Sequence, residues 1–266
     1  MMRVFQIAVF SCVIVLSAGC ETKKDRPIWE QVKIGDISPD ADEKRPEAQK
    51  LKTIDFNILI FDVPAENIGV LDGIWPLLYT EPLEFKDAGG FSANSFKAGY
   101  GQLSIWNPIR DLLVGAGGEK TETVSLLLTD GQDRDYAISG LDAEQTVFYR
   151  SVSGPLEKAG AGPGKIVLRI RAAKQPGIRG VCDVSFLPVF VPLRSSSIPE
   201  LAARSKTKEF RFEPVGFGTK MGPGDFIFLG PEKYSEEQVT LAGLFFSRTK
   251  RKAVFRTYLF ICARVD

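Results

Sequence analysis

Hydrophobic and polar positions alternate along most of this chain. In "TIDFNILIFDVP", Ile54, Phe56, Ile58 and Ile60 are set against Asp55, Asn57 and Leu59, which predicts a half-buried strand. "TVSLLLTDGQDRDYAIS" predicts two strands about Asp130-Gly131, and "QTVFYRSV" another. In "GKIVLRIRA", Ile166, Leu168 and Ile170 alternate with Val167, Arg169 and Arg171. "VCDVSFLPVFVPL" continues the pattern, with Pro188 and Pro192 suited to an edge or a strand end. "EFRFEPVGF", "DFIFLGP", "EQVTLAGLFFS" and "AVFRTYLFICARV" read as further strands.

Helical spacing is confined to two places. Ile68, Leu71, Ile74 and Trp75 share one helix face between Pro64 and Leu78, although Gly69, Gly73 and Pro76 weaken it. Asn107-Pro108 predicts a capped start, Gly115 a stop, and Ile109, Leu112 and Leu113 a buried face. The fold class expected is mainly β with minor α, a β-sandwich-like α+β domain with one or two short helices. It covers 51–266, with an α/β lead-in over 51–118 and a mainly β part over 119–266. "GPGKIVL" and "GPGDFIF" each place a Pro-Gly turn of type II character before an apolar strand.

The N-terminus breaks this pattern. A basic start at Arg3, an apolar run from Val4 to Leu16 and small residues Ser17, Ala18 and Gly19 precede Cys20. The run is short of the roughly 20 apolar residues that span a bilayer, so residues 1–19 read as a removable signal. Leu16-Ser17-Ala18-Gly19-Cys20 resembles the lipobox of bacterial lipoproteins. That resemblance implies a diacylglycerol on the Cys20 thiol, cleavage before it and acylation of the new amine, palmitate being a typical chain. It implies a partner, the membrane, and Glu21 after the cysteine leans toward the periplasmic face of the outer membrane, with the inner membrane as alternative. A plain signal anchor with a buried Cys20 is the competing reading. Residues 20–50, rich in charge and proline, read as a flexible tether with an r.m.s. reach of about 30 Å.

Composition narrows the chemistry. The 266 residues are 44% hydrophobic with a net charge of +1, which gives no field for nucleic acid. Histidine is absent, which removes Ser-His-Asp and Cys-His nucleophilic machinery and the histidine zinc sites. Any catalysis would fall to carboxylates, Lys, Tyr or Cys, so no enzyme, cofactor or metal is expected. Of four cysteines, Cys12 leaves with the signal and Cys20 carries lipid. Cys182 and Cys262 remain as a disulfide candidate in an oxidising compartment, or as two separate buried thiols. A bridge would stabilise by about 4 to 5 kcal/mol in the chain-entropy model.

Other stretches carry weaker chemistry. "GAGGEKTET" fails as a phosphate loop because Glu119 precedes Lys120, and it reads as a glycine-rich helix exit. Asp130, Asp133 and Asp135 supply only part of a calcium loop. Ser205-Lys206-Thr207-Lys208 fits the Ser-x-x-Lys spacing but lies in a polar linker without companion motifs. Arg248, Lys250, Arg251 and Lys252 form a basic turn that would touch an anionic surface or serve as a solvated tip. Phe91, Phe96, Tyr100 and Trp106 crowd a glycine-rich segment and read either as a partner surface or as core.

In order and spacing, "LLLTDGQDRDYAISG", "GPGKIVLRIRA", "TLAGLFF" and "RTYLFICARV" are similar to the C-terminal homology region of bacterial secretins, the ring-forming outer-membrane channels. The chain departs from that pattern in its closing strand, which lacks a proline, and in having no long alternating strands suited to a lipid-facing barrel. The resemblance implies a shared sandwich topology or a secretin-like or pilotin-type accessory subunit. The function expected is a lipid-anchored envelope protein acting by binding or assembly, with an envelope protein or a second copy as partner. The alternatives are the secretin-like subunit and a carboxylate- or Lys-dependent envelope hydrolase.

Overall fold

The first strand pairs with the last. In a computed structural model that describes residues 52–151, 154–193, 208–232, 239–249 and 252–266, β1 (Thr53–Pro64) runs antiparallel to β14 (Ala253–Val265) from Ile54↔Val265 to Pro64↔Val254. The lead-in is therefore the middle of the domain. Cys20, the signal and the tether lie outside the described residues.

Around that pair, one sheet takes the order β3 (Phe96–Gln102), β12 (Asp225–Pro231), β14, β1 and β4 (Glu119–Thr129), with β13 (Ser247–Thr249) beside β14. A second sheet takes the order β2 (Glu84–Phe85), β11 (Phe217–Met221), β9 (Cys182–Pro192), β8 (Gly164–Lys174) and β5 (Asp133–Leu141), with β10 (Phe210–Arg211) beside β9. β6 (Gln145–Arg150) and β7 (Leu156–Ala161) form a separate pair. The named pairings are antiparallel.

Two cores explain the hydrophobic pattern. Ile54, Phe56, Ile58 and Ile60 of the first sheet share the inter-sheet core with Ile166, Leu168 and Ile170 of the second, all fully buried, as the period of two requires. The outer face of the first sheet, at Phe61, Val63, Phe226, Phe228 and Leu259, is buried against Ile74 of α1 (Leu71–Ile74) and Ile109 and Leu113 of α3 (Trp106–Gly115). Covered on both faces, β12 and β14 carry continuous apolar runs where a half-exposed strand would alternate. The result is three layers: helix, sheet, sheet. It is mainly β with few short helices, as the pattern predicts.

Several elements differ from expectation for local reasons. Residues 65–77 are helical but broken into 3-10, α and 3-10 turns, in keeping with Gly69, Gly73 and Pro76. α3 begins one residue before Asn107, so Asn107 is not its cap. "TLAGLFF" is not a strand: Thr240 Oγ1 accepts from Gly243 N at 3.0 Å and caps α4 (Leu241–Phe246). Pro188 is mid-strand in a central strand, at the handover where β11 stops pairing with β9 and β10 begins, so its missing donor breaks no ladder bond on that side. β4 and β5 do not form a hairpin. Gly131, at φ +74°, turns a corner that sends β4 to one sheet and β5 to the other. Of the two Gly-Pro-Gly turns, that at 222–225 has the type II form, with Gly224 at φ +91° and Asp225 N donating to Gly222 O; Gly164 instead opens β8.

Candidate interaction surface

Several charged side chains in this domain pair across neighbouring strands of one sheet. Arg169 on β8 donates to both carboxylate oxygens of Asp135 on β5 at 2.7 and 2.8 Å and to Glu209 at 2.6 and 3.1 Å. Hydrogen bonds from Arg169 hold the Glu209 carboxyl below its usual range. Asp62, at the buried end of β1, accepts from Arg256 of β14 at 2.9 and 3.3 Å. The three acidic residues of the "DGQDRD" corner are divided among separate partners. Asp130 accepts from Lys174 N at 2.8 Å, Asp133 sits 3.9 Å from Arg171, and Asp135 serves Arg169. Among the described residues no group of His, Cys, Asp or Glu is arranged to hold a metal ion.

The basic turn is not a uniform tip. Arg248 is largely buried, and its guanidinium donates to Leu244 O at 3.0 Å, Ser247 O at 2.6 Å and Ile138 O at 2.6 Å. Burial lowers its pKa. It is thus withdrawn from an anionic surface contact. Lys252 is exposed and 3.8 Å from Glu66, while Lys250 and Arg251 lie outside the described residues. Ser205, Lys206 and Thr207 also lie outside them.

Cys182 on β9 and Cys262 on β14 face each other across the inter-sheet core. Both are fully buried free thiols within hydrogen-bonding reach of one another, and Cys182 Sγ also donates to Met221 O at 3.4 Å. The hydrogen bond with Cys262, together with burial, holds Cys182 well above the usual thiol range. Both thiols are free, and the strands that carry them belong to different sheets rather than lying side by side. In the aromatic segment Phe91 and Phe96 are core, whereas Tyr100 and Trp106 are half-buried. Phe91 and Phe96 stack edgewise among Phe217, Phe245 and Phe246, and Trp106 packs on Phe61 and Phe226.

A cleft of about 530 Å³ lies where Lys52, Asp130, Lys174, Arg179 and Asp266 meet, beside the exposed Ile178. Its charges are mixed and select no single class of ligand.

The sheet edges differ from one another, and an unpaired edge is a template for another strand. The β2 edge is two residues long. The β3 edge is covered by Tyr79, whose N–H and C=O exchange hydrogen bonds of 2.8 Å with Tyr100. Gly99 permits this cover: a Cβ there would stand 2.6 Å from Leu78 Cβ. β5 has a bulge between Ala137 and Ser139, and Arg248 occupies the Ile138 carbonyl at that point. β6 receives Val239 and Thr240, while β7 carries Glu157 and Lys158.

β4 uses these devices only at its start, where Thr121 is an extra residue in the register with β1 and the charges cluster. It is 11 residues long, pairs with β1 on one side, and among the described residues ends its sheet on the other. Charges occur only in its first part, at Glu119, Lys120 and Glu122; Thr123–Thr129 is uncharged and free of Gly and Pro. Asp130 N donates to Lys52 O at 3.1 Å, continuing the ladder from Thr53↔Thr129. Antiparallel alternation then turns the N–H and C=O groups of Val124, Leu126 and Leu128 toward β1, and those of Thr123, Ser125, Leu127 and Thr129 toward the open edge. Side chains of Val124 and Leu126 are half-buried against the inter-sheet core, and Leu127 on the outer face is 56% exposed. No sequence signal separates this strand from its neighbours, because an edge is defined by which strands arrive beside it.

No family model matches the chain, and no curated protein matches it. Among solved structures it is similar to the InvG secretin domain β-barrel from the Salmonella SPI-1 injectisome NC-base, at 10% identity and a TM-score of 0.26. The overlay covers 81% of this chain and 64% of that one, less than two thirds of its length. The likeness is weak, and the described strands of this chain form open antiparallel sheets.

Proposed function

We propose that this chain is a lipid-anchored cell-envelope protein that works by binding or assembly rather than catalysis. The observation that carries the reading is the β4 edge over residues 123–129, an uncharged, bulge-free row of backbone groups that has no partner strand among the described residues. Strand addition at such an edge uses main-chain hydrogen bonds for affinity and alternate side chains for selectivity. The engagement of Arg169, Arg256 and Arg248 in fixed pairs within the domain supports a scaffold role for its charges. The lipobox resemblance at Cys20 supports the anchor and, with Glu21, the periplasmic face of the outer membrane.

Crosslinking in intact cells tests the contact. The chain is expected in adducts that a clean monomer, with no co-purifying envelope protein, would exclude. The anchor has its own test: Cys20→Ala should lose palmitate labelling and processing at that site, and normal labelling of this variant would refute it.

A further inference from the structure

We infer that the strand added at β4 is the β4 of a second copy of this chain, so that the sheet ending in β4 continues across a two-fold axis; this rests on the assembly reading above. The argument is self-complementarity. A two-fold axis makes residue i meet j while j meets i, so the segment must read compatibly in both directions. "TVSLLLT" does, about Leu126. In that register Thr123 stands opposite Thr129, Val124 opposite Leu128, Ser125 opposite Leu127, and Leu126 opposite itself.

Backbone geometry agrees with this register. The outward groups of β4 belong to Thr123, Ser125, Leu127 and Thr129, and the axis at Leu126 pairs Ser125 with Leu127 and Thr123 with Thr129. Each such pair exchanges both of its hydrogen bonds. On the inner face, Val124, Leu126 and Leu128 of the two copies meet along a seam, covering the half-buried margin that the single domain leaves at Val124 and Leu126. On the outer face, the exposed Leu127 gains a neighbour. Glu122 and Asp130 would stand opposite each other just beyond this stretch, and their like charge ends the pairing there, which discourages longer or slipped registers.

The test uses the full chain in mild detergent, with mass read by light scattering. Two double variants change only outward side chains: Ser125→Lys with Leu127→Lys, and Ser125→Glu with Leu127→Glu. The unaltered chain is expected as a dimer. Each variant alone places like charges opposite one another in two symmetry-related pairs and should self-associate on the order of tenfold more weakly. An equal mixture of the two should restore the dimer, and an unchanged far-ultraviolet circular dichroism spectrum with a single cooperative melt for each variant shows that the fold is kept. Variants that remain dimeric, or a mixture that stays monomeric, would overturn the inference.

A photo-crosslinking amino acid in place of Leu127 in intact cells separates the two readings. An adduct of twice the chain mass supports the second copy. Adducts only of other masses overturn the second copy and leave the assembly reading standing; no adduct at all overturns both.

Discussion

Arg248 Nη2 donates a hydrogen bond of 2.6 Å to the carbonyl of Ile138, the residue at the β5 bulge, while Nη1 holds Leu244 O and Ser247 O at the end of α4. One guanidinium thus ties a helix terminus to the edge of the opposite sheet. The positive charge also suits a helix C-terminus, where unpaired carbonyls collect negative potential.

Arg248→Lys should therefore not be conservative. An ammonium on a single stem cannot reproduce a planar fork directed at three carbonyls. Losing charged hydrogen bonds from a largely buried site is expected to cost about 2 to 4 kcal/mol. Urea unfolding of the two proteins measures it, and a loss within error of zero would show that water replaces the fork at no cost.

Asn94 plays a comparable part for the small two-stranded sheet. Its Nδ2 donates to Gly90 O at 2.7 Å and Arg150 O at 2.9 Å, and its Oδ1 accepts from Arg150 N at 2.7 Å. Two of these bonds link the end of α2 (Ala88–Ala93) to Arg150, the last residue of β6, and the third ties Asn94 back to its own helix. Asn94→Asp removes the donors and places a carboxylate beside two carbonyl oxygens, so a loss of about 2 to 3 kcal/mol is expected. Hydrogen exchange should show faster opening of β6 and β7, with β1 and β8 unchanged. Uniform acceleration throughout the domain would instead mean that the pair does not open on its own.

Which parts of this fold were legible follows from how local their causes are. β1 and β8 follow from side-chain alternation alone, because one face of each meets the inter-sheet core. α4 departs from the strand that its apolar run predicts, because so short a run suits a buried strand or a short helix equally well, and the deciding feature is the Thr240 cap. β7 carries no such signal: "LEKAGA" has Glu, Lys and Gly where a strand would show apolar alternation, and its pairing with β6 supplies the order. The corner at Gly131 uses the same turn chemistry as a hairpin, so only the distant partners of β4 and β5 distinguish them. The open edge is the least legible feature, since it depends on every other strand in the sheet being placed first.

Acid should weaken the domain through Glu209. Its folded pKa lies below its ordinary value because Arg169 stabilises the carboxylate. A depressed carboxyl contributes stability that is fully present above the unfolded value, about 4.5, and is lost as pH falls through the folded value. Glu209 is partly exposed, so solvent screens the pair and the contribution is no more than about 1 kcal/mol. Stability measured from pH 7 downward should fall below pH 4.5 less steeply for Glu209→Gln than for the unaltered chain. Identical slopes would mean that Arg169 is satisfied by Asp135 alone.

The cysteine pair gives the last prediction. Cys182 and Cys262 are both fully buried between sheets whose inner faces are packed with Phe56, Phe186 and Phe260, so no thiol reagent reaches them while the layers are closed. In reduced protein the native domain should leave both thiols unmodified, and denaturant should release both together in one transition, because each lies in a central strand of a different sheet. The same barrier keeps oxidants out, so any bond between them must form while the sheets are still coming together. Delaying oxidant until after refolding should therefore leave two thiols, whereas oxidant present during refolding should leave none. Thiol counts by mass after alkylation read both cases. Rapid modification of the native reduced protein would show that the sheets separate far more easily than this packing implies.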